Sequence, residues 1–264
     1  MEATALVLSW RNRVVVLAGL AGVAGLAWTY LLFDSGRMHG ATIGDPAVVM
    51  AMRPWAALDF LLMFLMWTVM MAAMMLPSVA AAVLVYAAVL RRIAPQQPHA
   101  RSVALFVFGY LLAWTMFSLT ATGLQWGLDR LALLSTMVVA TSPIIGGALL
   151  IAAGLYQLTP VKRACLKHCR APLTYLAQHW AHGMSGALRM GSQHGLYCIG
   201  CCWAIMLLLF VGGVMNLLWV AAIAVFVLLE KLALLGGRTG LWLSSSAAIV
   251  SGVTMMVLAI YLSV

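Results

Sequence analysis

Long apolar runs constrain the fold of this chain more than any other sequence feature. Residues 55–90 are almost wholly apolar over 36 positions, which is about 54 Å of helix at ~1.5 Å per residue. Such runs far exceed the ~9–11 residues of a barrel strand, and backbone groups in lipid must be satisfied within their own segment. Hydrophobic residues make up 65% of the 264 residues and charged residues only 8%, too few to cover a water-soluble globule. The sequence therefore predicts an all-α, polytopic transmembrane helical bundle.

The apolar runs predict about seven helices in one integral membrane domain that covers residues 1–264. The expected spans are 14–33, 55–90, 102–124, 131–158, two helices within 195–235, and 241–264. The pair within 195–235 is expected to be a hairpin hinged at Gly212 and Gly213. Pro77 is expected to bend the second helix, because proline removes a backbone donor and frees the carbonyl four residues earlier. The first span is longer than the apolar region of an ordinary signal peptide, so we expect it to be retained.

Basic residues are distributed unevenly between the predicted loops. A cytoplasmic N-terminus places the basic residues of 91–101 and 159–193 inside, in agreement with the positive-inside rule. Residues 159–193 then form a long cytoplasmic loop, in which 173–187 is expected to lie as an interfacial helix. The formal net charge of +9 is explained by this topology and by contact with anionic lipid, so it does not indicate nucleic-acid binding. We expect a multi-pass plasma-membrane protein in contact with the lipid bilayer.

Cysteines form the clearest candidate site. The five lie in two clusters, which are Cys165 with Cys169, and Cys198 with Cys201 and Cys202. His194 and the second cluster follow i, i+4, i+7, i+8 spacing, so they share one face of a helix expected to begin near His194. Cytoplasmic thiols stay reduced and remain available to a cation. A single buried cysteine is more often a packing residue, but folding the first cluster back would gather soft ligands that favour Cu(I), with Zn(II) as the alternative.

A second sulfur-rich feature lies on the second predicted helix. Asp59 is followed at helical spacing by methionines on one face, Met63, Met66, Met70 and Met74, and this stripe is widened by Met71 and Met75. Thioethers suit Cu(I), so the methionine stripe could pass the ion from the outer loop toward the cytoplasmic cysteines. Methionine is also a flexible filler of apolar cores, and packing alone would explain the same stripe.

Three stretches of the sequence carry a resemblance to a known family. They are Trp67–Ser78 (WTVMMAAMMLPS), Tyr156–Pro172 (YQLTPVKRACLKHCRAP) and the segment from Gly195 to Lys231 that begins GLYCIGCCWAIM. Together they resemble the bacterial predicted metal-binding integral membrane proteins catalogued as domain of unknown function 2182, whose members are often labelled copper chaperones. The resemblance spans about residues 55–235 and implies a metal-binding, copper-handling membrane protein, for which we expect a location in the bacterial inner membrane. The matching positions are Met70, Met71, Met74, Met75, Cys165, Cys169, Cys198, Cys201 and Cys202.

Two other function classes stay open from the sequence. Cys198 and Cys201 form a C-x-x-C pair, so a membrane thiol–disulfide relay with Cys165 and Cys169 as its partner pair is one alternative. A structural or accessory subunit of a larger membrane complex is the other. The sequence has no Gly-rich phosphate loop and no paired carboxylates, so nothing in it indicates an enzyme of hydrolysis or phosphoryl transfer. For copper handling, we expect a copper-accepting protein or membrane complex as the partner.

Overall fold

The computed structural model describes residues 10–40, 55–131, 143–232 and 238–263. Within these ranges the regular structure is entirely helical, which confirms the predicted all-α class. The helices are α1 (Trp10–Gly40), α2 (Ala57–Ile93), α3 (His99–Arg130), α4 (Pro143–Gln157), α5 (Pro160–Arg170), α6 (Pro172–His179), α7 (Gly183–Leu207), α8 (Leu209–Gly212), α9 (Leu217–Lys231) and α10 (Arg238–Ser263).

Four helical stretches in the described part of the chain are long and apolar enough to cross a membrane. They are Trp10–Phe33, Ala57–Ile93, His99–Arg130 and Gly183–Gly212. A fifth span results if α4 and α5, bent by 66° at their break, are counted as one. Several long apolar helices are what the membrane class requires. Three internal segments lie outside the described residues. They are residues 41–54 between the first two predicted spans, residues 132–142 of the predicted fourth span, and residues 233–237, which include the end of the predicted hairpin.

The first predicted span ends at Phe33, where the apolar stretch Trp10–Phe33 also ends, although α1 stays helical to Gly40. One predicted helix start is wrong, because α7 begins at Gly183 instead of near His194. The prediction placed this boundary where hydropathy rises. Polar residues without proline can continue a helix, because helix propensity and hydropathy are separate properties. Residues 159–193, expected as a long loop, accordingly contain α5, α6 and the first turns of α7, and α6 overlaps the expected interfacial helix.

Pro77 lies inside α2, which runs through it from Ala57 to Ile93. Proline frees the carbonyl of the residue four positions earlier, here Ala73. The indole Nε1 of Trp28 on α1 donates a hydrogen bond of 3.2 Å to the Ala73 carbonyl. A freed backbone carbonyl in lipid must find such a partner on a neighbouring helix. The bond therefore explains how α2 keeps a proline and why α1 packs against it.

The backbones of α3 and α7 pack closely against each other near the middle of the bundle. A Cβ atom on Gly191 would collide with the Phe106 carbonyl, and one on Gly109 would meet the Leu188 carbonyl. Small residues at both contacts let two helix backbones approach, as membrane helix pairs commonly do. The chain then turns at Gly213, whose φ of 89° favours glycine, and α9 returns along the bundle as the predicted hairpin requires.

Candidate metal centre

The two cysteine clusters meet where α5 packs against α7. Thr159 caps α5 through a 3.2 Å bond from the Lys162 backbone N–H to its Oγ1, and Pro160 occupies the first helical position. Helical geometry then places Cys165 and Cys169 one turn apart on the side that faces α7. The Cys169 and Cys201 Sγ atoms are 4.0 Å apart. The structure thus brings sulfur atoms from distant parts of the sequence together.

Cys165 reaches α7 at a position without a side chain. A Cβ atom built on Gly200 would lie 2.7 Å from the Cys165 Sγ, so the glycine leaves space for the thiol. The Gly200 carbonyl accepts a hydrogen bond from the Tyr156 hydroxyl of α4. Gly200, inside the C-x-x-C sequence, is therefore where α4, α5 and α7 converge.

The cysteines of α7 form its buried face. Cys198, Cys201 and Cys202 are buried, and the thiols of Cys201 and Cys202 each donate to the Cys198 carbonyl at 3.0 Å. All five cysteines of the chain are free thiols, and Cys165 and Cys169 are half-buried. The half-buried pair therefore lies between the fully buried α7 sulfurs and the outside of the bundle.

The sulfur of Cys198 lies beside a buried charge that is not among the candidate site residues named from the sequence. The Lys231 ammonium of α9 donates to the Cys198 Sγ at 2.8 Å and to the Ser78 Oγ at 2.8 Å. The Tyr110 hydroxyl lies 3.1 Å from the same sulfur. A lysine near a helix end is expected to extend to the membrane surface, but Lys231 is buried in the bundle. Charged residues at membrane depth usually face a partner, and that rule was the available signal.

The preceding residue, Glu230, holds a second buried charge. Both of its carboxylate oxygens are 2.9 Å from the Lys162 ammonium of α5, which also donates to the Gln157 side chain. Arg170 donates to the Glu230 backbone carbonyl at 3.0 and 2.8 Å. Lys162 is 0% and Glu230 2% exposed. Adjacent residues of α9 therefore bind different helices, Glu230 binding α5 and Lys231 binding α2 and α7.

His194 lies one turn before Cys198 on α7 and is buried among aromatic rings. Its ring centroid is 6.1 Å from that of Tyr110 and 5.4 Å from that of Tyr175. Its Nδ1 is buried and has no hydrogen-bond partner among the described residues. Burial raises the pKa of the Tyr175 hydroxyl, so this group stays protonated and donates to the Met190 carbonyl at 2.9 Å. His194 is thus beside the sulfur cluster with a nitrogen that the packing leaves unused.

The methionine stripe of α2 faces the interior. Its buried members are Met66, Met70, Met71, Met74 and Met75. Toward the other end of the stripe, half-buried Met63 accepts a 3.7 Å contact from the Gln125 amide. The Met75 Sδ lies 4.0 Å from the Ser78 Oγ, which also contacts Lys231. The stripe therefore ends next to the pair formed by Lys231 and Cys198.

A complete coordination shell is not in place. In the ranges that the structure describes, no group of three or more His, Cys, Asp or Glu side chains is arranged to hold a metal ion. A pair is present, since a metal–thiolate bond is about 2.3 Å and one ion could contact two sulfurs 4.0 Å apart. The donor chemistry, with thiols beside thioethers, fits a soft cation.

The helices and the sulfur cluster define a helical membrane-class protein with a thiol-rich interior. The sequence model of the PpoB2 family, described as a copper chaperone, matches residues 64–260. The chain belongs to this family, as the resemblance predicted. The match begins within α2 and ends within α10, so it includes every cysteine and the Met70–Met75 group. No curated protein and no solved structure matches the chain significantly.

Proposed function

We propose that this protein binds Cu(I) as cargo at a sulfur site between α5 and α7 and transfers it to an acceptor protein. One observation carries the proposal, which is the 4.0 Å separation of the Cys169 and Cys201 Sγ atoms. Two stretches of sequence 32 residues apart would have little reason to juxtapose free thiols for packing alone. The description of the family as a copper chaperone supports the same class of cargo.

The residues proposed to hold the ion are the cysteines of α5 and α7, together with one histidine of α7. Cys169 and Cys201 provide the central pair, with Cys165 and Cys198 beside them. Cys202 and His194 lie on the same face of α7 and complete the proposed donor set. Thioethers beside thiolates favour Cu(I) over Zn(II), because the softer ion gains more from both ligand types.

The buried methionine stripe is proposed as the route to this site. Its thioethers lie on the face of α2 that is directed into the bundle, and the last of them, Met75, lies next to Ser78. We further propose a bacterial inner-membrane location with the N-terminus in the cytoplasm, since the basic residues are concentrated in the loops this topology places inside. Ions would then pass along α2 toward the cytoplasmic side, where an acceptor protein or membrane complex could collect them.

The test is Cu(I) affinity of the purified, reduced full chain in detergent, measured by competition with a coloured Cu(I) chelator. Changing a residue that only hydrogen-bonds to a metal ligand typically lowers metal affinity by about 10–100-fold. Loss of a direct ligand is therefore expected to lower Cu(I) affinity by at least ~100-fold. We expect that loss in Cys169→Ser and in Cys201→Ser. Ala164→Ser is the matched control, because Ala164 is exposed beside Cys165 on α5. Wild-type affinity in the double variant C169S/C201S would refute the proposed site.

The same pair supports a thiol–disulfide relay as a second candidate function. Sulfur atoms 4.0 Å apart need only a modest approach to reach the disulfide length of about 2.05 Å. Formation of the Cys169–Cys201 bond would reduce a partner's disulfide to two thiols. Alkylating the thiols after cells are quenched in acid and denatured with a Cu(I) chelator separates the two functions. Under these conditions, copper binding predicts five alkylated cysteines, whereas a relay predicts a population in which two are protected until reductant is added.

A further inference from the structure

Lys231 presents a fixed positive charge to the proposed sulfur site. Its ammonium lies 2.8 Å from the Cys198 Sγ and 2.8 Å from the Ser78 Oγ. The side chain is 9% exposed, so its charge is largely shielded from water. Charges inside a protein interact more strongly than charges in water, because the local dielectric constant is lower.

The other charged groups near Lys231 do not cancel its charge. Glu230 is adjacent in sequence, but its carboxylate is bound by the Lys162 ammonium at 2.9 Å. Ser78 and Tyr110, which also surround the pair, contribute neutral hydroxyls. Cys198 is therefore the group whose anionic form the ammonium can stabilise, and thiolates are the form in which cysteines bind metals.

We propose that Lys231 is a specificity-determining residue that makes this site select monovalent thiophilic cations, Cu(I) and Ag(I), over divalent ones such as Zn(II) and Cd(II). The inference rests on the proposed function and names the charge class of the cargo. Repulsion between the ammonium and a bound ion is proportional to the charge of the ion. A divalent ion at the cysteines is therefore penalised twice as strongly as a monovalent ion in the same place.

A ratio of affinities isolates this effect. The metal-free protein is the common reference for both ions, so any change that a variant makes to it cancels when the two affinities are divided. The ratio then reports the difference in free energy between the Cu(I)-bound and the Zn(II)-bound protein. In one of these states the charge at position 231 acts on a monovalent ion, and in the other it acts on a divalent ion. The proposal therefore predicts a change in selectivity, whatever the variant does to either affinity alone.

The experiment measures Cu(I) and Zn(II) affinities of the purified full chain by chelator competition. We expect the Cu(I)/Zn(II) affinity ratio to fall at least about tenfold in Lys231→Met and Lys231→Gln, because at a few ångströms one unit of charge in a protein interior is worth that or more. Lys231→Arg keeps the charge and should keep the ratio within about threefold. Lys167→Met removes an exposed lysine of α5 and should leave the ratio unchanged.

An unchanged Cu(I)/Zn(II) affinity ratio in the neutral variants would overturn the proposed role of Lys231. The proposed function would still stand in that case if C169S/C201S loses Cu(I) binding. If the wild type itself binds no Cu(I), the proposed function fails first. A measurement on the wild type keeps the inference testable if the neutral variants do not fold. Ag(I) and Cd(II) are both thiophilic, and we expect Ag(I) to displace Cd(II) at equal concentrations. Retention of Cd(II) against Ag(I) would contradict the selectivity.

Discussion

At the scale of single residues, several polar groups of the candidate site are held by contacts that join distant parts of the chain. Ser78 is an example, since its Oγ donates to the Met75 carbonyl at 2.8 Å and accepts from the Lys231 ammonium. The Tyr110 hydroxyl lies between the same carbonyl and the Cys198 sulfur, at 3.3 and 3.1 Å. Such contacts fix the last thioether of the methionine stripe relative to the first cysteine of α7.

Met75 offers the sharpest test of the methionine stripe. Met75→Leu removes the sulfur but conserves volume, and exchanges of this kind usually cost less than about 1.5 kcal/mol of stability. If the thioether takes part in binding, Cu(I) affinity should fall several-fold, measured by the same chelator competition. Met184→Leu is the control, because Met184 is 43% exposed at the start of α7. Equal affinities in the two variants would assign Met75 to packing.

At the scale of helices, α9 connects the site through two adjacent residues. Side chains that follow each other on a helix point about 100° apart, so Glu230 and Lys231 bind different neighbours. Glu230 pairs with Lys162 of α5, the helix that carries Cys165 and Cys169. Lys231 binds Cys198 of α7. The end of α9 therefore joins the two helices that provide the cysteines.

Breaking the buried ion pair should separate these helices. Glu230→Gln leaves the Lys162 ammonium buried without its counter-charge, and removing one partner of a buried pair typically costs about 3–5 kcal/mol. We expect a clear fall in the unfolding temperature, which is measured from the tryptophan fluorescence of the protein in detergent. Replacing both residues by methionine removes the charges together and should restore most of the loss. The exposed Lys167→Met variant is the reference, and an equal melting temperature in E230Q would show that the pair contributes little.

Helix class and the approximate spans could be predicted from the sequence, because apolar length alone requires helices in lipid. The buried face of α7 could also be predicted, since His194 and the three following cysteines lie on it as their spacing indicates. Boundaries were less predictable, because the segment after Gly183 is polar yet compatible with a helix. The partners of Lys231 could not be predicted, since Ser78 and Cys198 lie 153 and 33 residues away. Pairing over such separations depends on how the helices pack.

At the scale of the whole molecule, the core is formed around α2. This helix contacts α1, α3, α6 and α9, and it carries the methionines that end at the site. The cysteines belong to α5 and α7, which pack on each other at the same level. The bundle therefore places thioethers and thiols side by side although each group belongs to a different part of the sequence. Membership in the copper chaperone family is consistent with that common interior.

The contact between Trp28 and Ala73 also bears on how the chain is made. The family match begins at residue 64, so the indole that satisfies the carbonyl freed by Pro77 comes from a helix outside the matched region. Because α1 is synthesised before α2, its indole N–H lacks this acceptor until the proline-containing helix lies beside it. We therefore expect a shortened chain that begins at α2 to carry an unsatisfied peptide oxygen into the hydrocarbon and to insert less efficiently than the full chain.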